Sequence, residues 1–151
     1  LMKMRKDLDV DKGVPLVGYS LGAWFATLAG SADRRVSVLI LQGAGTGDST
    51  ASEPKRGLFD PLPKKPEQMA VLSKYPTVRM ETALPEFGPR PLLMQNGKKD
   101  PFIPQDSAKN LYRLASSPKE LRWYDCGHIL PEQAGREVAE WIGKQKDAAT
   151  R

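Results

Sequence analysis

The sequence predicts an α/β domain built on a mostly parallel sheet flanked by helices. Four short apolar runs bounded by turn residues read as strands, and segments with apolar residues at helical spacing lie between them. Alternation of this kind favours parallel pairing, because each crossover helix carries the chain back over the sheet. A length of 151 residues suits one domain, residues 1–151, with room for a hydrophobic core.

The strands are expected at residues 14–17, 36–41, 91–95 and 121–124. A helix is expected over 21–29, rich in Ala and Leu, with Gly30 as its stop. A second has Asp106 or Ser107 as N-cap and carries Leu111, Tyr112, Leu114 and Ala115 as an apolar stripe. A third starts at Pro131, a favoured first-turn residue, and places Ala134, Val138, Trp141 and Ile142 on one face. The connection 42–90 holds seven of the 13 prolines, so little of it is expected to be regular. A short helix over 67–73, and a position for part of this connection over the mouth of a site, are the expectations there.

Composition narrows the function classes. Hydrophobic residues make up 40% and charged residues 27% of the chain, as in globular proteins, and no run is long and apolar enough to cross a bilayer. The net charge of +5 comes from basic residues scattered in pairs such as Lys64-Lys65 and Lys98-Lys99, which reads as solvated surface rather than a nucleic-acid track. A single cysteine, Cys126, excludes an internal disulfide framework and leaves no zinc-type spacing. No metal, cofactor, nucleic-acid or membrane partner is expected. The opening residues 1–6 are basic without a following apolar core or a small-residue cleavage site, so no secretory signal is legible and a cytoplasmic setting is expected.

The chemistry begins at Gly18-Tyr19-Ser20-Leu21-Gly22, a Gly-x-Ser-x-Gly pattern set between an expected strand and an expected helix. That setting makes Ser20 a nucleophile at a sharp turn, with Gly18 and Gly22 relieving the crowding, against the blander role of helix N-cap. The turn also puts Ser20 at a helix N-terminus, where Leu21 N–H is the expected oxyanion donor. Asp100 lies in the loop after the third strand, at the end where ligand groups gather in open parallel sheets. The only histidine, His128, follows the fourth strand. Nucleophile, acid and base thus occur in the chain order Ser20, Asp100, His128, each after a different strand. Asp125 is the rival acid; Asp100 is preferred because an acid on a separate loop can face the far side of the imidazole. Tyr19, Phe102 and Ile103 are the expected substrate contacts, with Trp24, Phe25, Phe59 and Phe87 as further apolar residues that more often belong to a core.

With these residues the sequence resembles the α/β-hydrolase superfamily over nearly its whole length. The segments Val14-Pro-Leu-Val-Gly-Tyr-Ser-Leu-Gly22, Arg90-Pro-Leu-Leu-Met-Gln-Asn-Gly-Lys-Lys-Asp100 and Leu121-Arg-Trp-Tyr-Asp-Cys-Gly-His128 look most like bacterial esterases of the dienelactone-hydrolase and acetyl-esterase groups. Where some dienelactone hydrolases carry a cysteine nucleophile, this elbow bears Ser20. The resemblance implies a three-layer sandwich and cofactor-free hydrolysis of small carboxylic esters by a Ser-His-Asp triad. A prolyl-oligopeptidase-like peptidase shares the triad order, and a non-catalytic hydrolase remnant with a binding role is the alternative outside enzymes.

In the family the elbow strand comes fifth of about eight, so the chain corresponds to the C-terminal part of such a domain. The family's second oxyanion donor comes from a loop ahead of the elbow, and nothing before Ser20 matches it. The elbow strand, central in the family, is expected to have a bare apolar edge here, which invites pairing with another chain, including a second copy of this one.

Overall fold

The computed structural model describes residues 13–46, 79–116 and 118–149, the last four by backbone alone. The elements run β1 (Val14–Tyr19), α1 (Leu21–Ala32), β2 (Val36–Gln42), α2 (Met80–Phe87), β3 (Leu92–Gly97), α3 (Gln105–Leu114), β4 (Lys119–Tyr124) and α4 (Glu132–Ala149). The four strands form one parallel sheet in the order β1-β2-β3-β4. Each expected strand is present, extended by one to two residues at one end, and β3 also starts one residue later than expected.

Sequence and position agree strand by strand. β2 and β3, with a neighbour on each side, are buried almost throughout, apolar over residues 38–41 and 92–94 with Gln95 and Asn96 buried beyond, because helices cover both of their faces. One face holds Leu39, Leu41, Leu92 and Met94 under Ala23 and Ala26 of α1, Met80, Leu84 and Phe87 of α2, and Leu111 of α3. The opposite face holds Val38, Ile40 and Leu93 under Trp141, Val138 and Ile142 of α4. Ala134, the fourth residue expected on that stripe, is also buried. β1 is different: it has one strand neighbour among the described residues, and Val14 and Val17 are 42% and 49% exposed.

Several boundaries differ from the sequence expectation. α1 runs through Gly30, which lies buried against Leu39, Phe87 and Val36, and stops at Asp33; Gly30 serves close packing of helix on sheet rather than termination. α3 begins one residue before Asp106 with Pro104 as its N-cap, and Ser107 turns its hydroxyl to the Thr46 carbonyl instead of capping. Helix α4 starts at Glu132, immediately after Pro131. Helix α2 falls inside the proline-rich connection, at residues for which no element was expected. Its buried residues Met80, Ala83, Leu84 and Phe87 have the i, i+3, i+4, i+7 spacing of a helix face, a signal masked by Pro85 within it. This part of the connection packs on α1 as core; the expected helix at 67–73 and Lys64-Lys65 lie outside the described residues.

A polar chain fastens α4 to the sheet. Gln42 donates to Gln95 at 2.8 Å; Gln95, fully buried, donates to the Tyr124 hydroxyl at 2.7 Å and to the Ala134 carbonyl at 3.0 Å; Tyr124 donates to Glu137 at 2.6 Å. Burial, and then the bond to Glu137, push the Tyr124 phenol from its ordinary 10.0 up to about 12. The folded state therefore favours the neutral phenol. Its contribution to stability is complete below pH 10 and is lost as pH rises through 12. Denaturant midpoints measured across this window should fall with rising pH, and Tyr124→Phe should flatten most of that slope.

Candidate active site

All four strands end on the same rim, and each contributes a loop to one cluster. After β1, Ser20 takes φ 52° and ψ −119°, a region that non-glycine residues occupy only when surrounding structure imposes it. Its backbone N–H is pinned to the Gln42 carbonyl at 2.8 Å, and its hydroxyl makes no capping bond to α1. The N-cap role is thus not what the serine side chain does. Gly18 makes the turn sterically feasible: a Cβ there would strike the Gly22 carbonyl oxygen and lie 2.6 Å from both Ala23 Cα and Ala26 Cβ. Gly22 differs from expectation, since a Cβ on it meets nothing within 4 Å among the described residues.

The hydroxyl of Ser20 instead faces His128, with Oγ 2.9 Å from Nε2. The other ring nitrogen, Nδ1, is 2.7 Å from Asp100 Oδ2. A carboxylate only accepts hydrogen bonds, so this pairing suits the tautomer with its proton on Nδ1, which leaves Nε2 to accept from the serine. The Asp100 side chain is fully buried and that of His128 is 15% exposed. Asp100 Oδ1 accepts the Phe102 and Ile103 backbone N–H groups at 2.8 and 3.0 Å, which fixes the carboxylate in its own loop. Asp125, the rival acid, points away: it pairs with Lys99 at 2.9 Å, is 71% exposed, and is held below the usual carboxylate range by that lysine.

The loops meet through glycines that the sequence reading passed over. Gly97 ends β3 directly beneath the His128 loop, where a Cβ would strike the Gly127 carbonyl oxygen and lie 2.6 Å from that of Cys126. Lys98 and Lys99 N–H groups then bond the Tyr124 and Cys126 carbonyls, stitching the Asp100 loop to the His128 loop. Gly43, at φ 58° after β2, lies against the imidazole, 3.1 Å from its Cε1 if given a Cβ. A glycine within a few residues of each strand end was the available signal.

Of the expected substrate contacts, Phe102 is 48% exposed and sets its ring edge-on to His128 with centroids 5.2 Å apart. Ile103 is half-buried against Gly45. Tyr19 is 40% exposed and donates its hydroxyl to the His128 carbonyl at 2.6 Å. Ile129, next to His128 and 83% exposed, is a further apolar residue on this rim. Leu21 opens α1, so its N–H has no acceptor within the helix and is available to an anion. Phe87 is core, Trp24 packs partly buried against it, Phe25 is exposed, and Phe59 lies outside the described residues. Cys126 is half-buried, and burial followed by the nearby Asp100 and Asp125 charges pushes its thiol up, away from a reactive thiolate. Among the described residues no group of His, Cys, Asp and Glu could hold a metal ion, and no helix is long and apolar enough to cross a membrane.

Solved structures share this arrangement of strands and helices. An α/β-hydrolase enzyme from the sediment metagenome of the Mar Chica lagoon, Morocco, matches with a TM-score of 0.60 at 24% identity, covering 89% of this chain and 63% of that one. Acetyl xylan esterase 1 from Thermoanaerobacterium sp. JW/SL YS485 matches with a TM-score of 0.68 at 20% identity, over 90% of this chain and 46% of that one. The esterase domain of a Rhodothermus marinus protein gives 0.58 at 18% identity, over 86% and 57%. The chain therefore has the fold of the α/β-hydrolases, and it spans between 46% and 63% of the length of these three. No family model and no curated protein matches it.

Proposed function

We propose that this chain carries the catalytic centre of a serine hydrolase acting on carboxylic esters. The observation that supports this most is the unbroken relay from Ser20 Oγ through His128 to the buried Asp100, at 2.9 and 2.7 Å, with the serine on a positive-φ turn. Two of the three solved structures above are named as esterases, which supports the same reading.

The steps follow from the geometry. Ser20 Oγ attacks the ester carbonyl carbon as its proton passes to His128 Nε2, while Asp100 holds Nδ1–H and stabilises the imidazolium. The carbonyl oxygen becomes an oxyanion at the Leu21 N–H. The C–O bond to the alcohol then breaks, the alcohol leaves with the proton from Nε2, and Ser20 is acylated. A water, deprotonated by Nε2, attacks the acyl carbon; the carboxylic acid departs and the serine recovers its proton. No cofactor or metal enters this scheme.

The Leu21 N–H, without an acceptor inside α1, is the oxyanion donor in this reading. Losing one donor of such a site costs about 3 to 4 kcal/mol of transition-state stabilisation, or two to three orders of magnitude in rate. Activated esters tolerate that loss better than amides. A nitrophenyl ester should therefore be hydrolysed by the chain faster than a proline-containing peptide anilide. Comparable rates on the two would favour a prolyl-oligopeptidase-like activity, and a folded chain inert to both would favour a binding remnant.

A further inference from the structure

We propose that the Tyr19 hydroxyl is a positioning group for the base, tying the main chain of His128 to the residue next to the nucleophile. This rests on the functional reading above and names a residue on which it depends.

Tyr19 and His128 are 109 residues apart, yet the phenol reaches the His128 carbonyl oxygen at 2.6 Å. The tyrosine immediately precedes Ser20, whose backbone is constrained at φ 52° and bonded to Gln42. A rigid side chain with two torsions thus links the elbow to the loop that bears the base. The imidazole ring is confined on several sides: Tyr19 at 5.4 Å between centroids, Phe102 at 5.2 Å, and Gly43 beside Cε1. Asp100 fixes how that ring is rotated. Tyr19 fixes where its backbone stands, and the two together set the 2.9 Å separation of Nε2 from Oγ. The hydroxyl is already committed to a protein acceptor. What Tyr19 offers a substrate is the exposed part of its ring.

Burial, followed by the neighbouring Asp100 and Cys126 charges, pushes the Tyr19 phenol up, so it remains a hydrogen-bond donor across the working pH range. The loop it holds has few other ties. Lys99 N–H bonds Cys126, and Cys126 N–H bonds Tyr124, both ahead of the histidine. Ile129, just after it, is almost fully exposed.

Tyr19→Phe keeps the ring and removes only the donor. Because the chain has a single histidine, 15N-histidine labelling gives one imidazole spectrum that is assigned without ambiguity. In the wild type the Nδ1 proton, shared with Asp100, should resonate far downfield and exchange slowly with water. In Tyr19→Phe that proton should exchange about three- to tenfold faster, the effect of one hydrogen bond on loop opening. The kcat on a nitrophenyl ester should fall by a similar factor with KM within twofold, the pattern of a lost positioning contact.

An Nδ1 proton unchanged in the variant overturns this inference while leaving the functional reading intact. So does a KM change with kcat preserved, which would make Tyr19 a substrate contact. A wild-type spectrum with no hydrogen-bonded Nδ1 proton overturns the functional reading, and this inference with it.

Discussion

Asp100→Asn should slow acylation of Ser20 by about three to four orders of magnitude while leaving the fold intact. The asparagine amide oxygen can take over the two backbone bonds from Phe102 and Ile103 that Asp100 Oδ1 now accepts. That orientation turns the NH2 group towards His128 Nδ1, where an acceptor stood 2.7 Å away. Two donors cannot share this contact, so the imidazole moves its proton to Nε2 and presents N–H, rather than a lone pair, to Ser20. The base is lost through its tautomer and not through its position. Single-turnover release of nitrophenol measures the rate, and an unchanged melting temperature separates this cause from misfolding. Asp125→Asn, at an exposed residue paired with Lys99, should leave the rate within about twofold.

Gly18→Ala should destabilise the chain by about 3 kcal/mol or more, at the upper end of the range for overpacking. The added methyl meets backbone of α1 at Gly22 and Ala23, which cannot rotate aside as a long side chain would. Relief requires α1 to lift from β1, and α1 supplies Ala23 and Ala26 to the core as well as the Leu21 amide to the site. Gly22→Ala is the matched control. Among the described residues its methyl meets nothing, and in a helix alanine is preferred over glycine by up to about 1 kcal/mol, so stability should hold or rise. Chemical denaturation of the two variants side by side measures the contrast. Equal losses would place the crowding elsewhere than at the β1–α1 turn.

The sequence reading located the four strands of the described residues, because short, mainly apolar runs bounded by glycine, proline and charge have few other uses. It also listed in order the three residues that the loops bring together, since each lies just beyond a strand and parallel strands end on a common rim. Helix ends were less legible. Gly30 resembles a stop in one dimension, but its lack of a side chain is used for packing against Leu39 and Phe87. Ser107 resembles a cap, but its hydroxyl is drawn to the Thr46 carbonyl, 61 residues distant. α2 was hidden by Pro85, although its apolar spacing was visible.

The contacts that hold the site in place were the least legible. Gly43 and Gly97 matter because of what crosses above them, and the Tyr19 to His128 bond joins residues that no local pattern relates. Propensity and periodicity describe neighbours along the chain. Loop-to-loop contacts on the rim of a sheet arise only once the strands have fixed their spacing.

Mass-spectrometric mapping after exposure of the native chain to a fluorophosphonate tests the central claim most directly. Ser20 should carry the phosphonyl adduct, labelling should vanish in Ser20→Ala, and its rate should drop at least 100-fold in His128→Ala, in line with the loss of a general base. A folded chain that remains unlabelled, or an adduct on another hydroxyl that forms equally well without His128, would contradict a nucleophile activated by this relay.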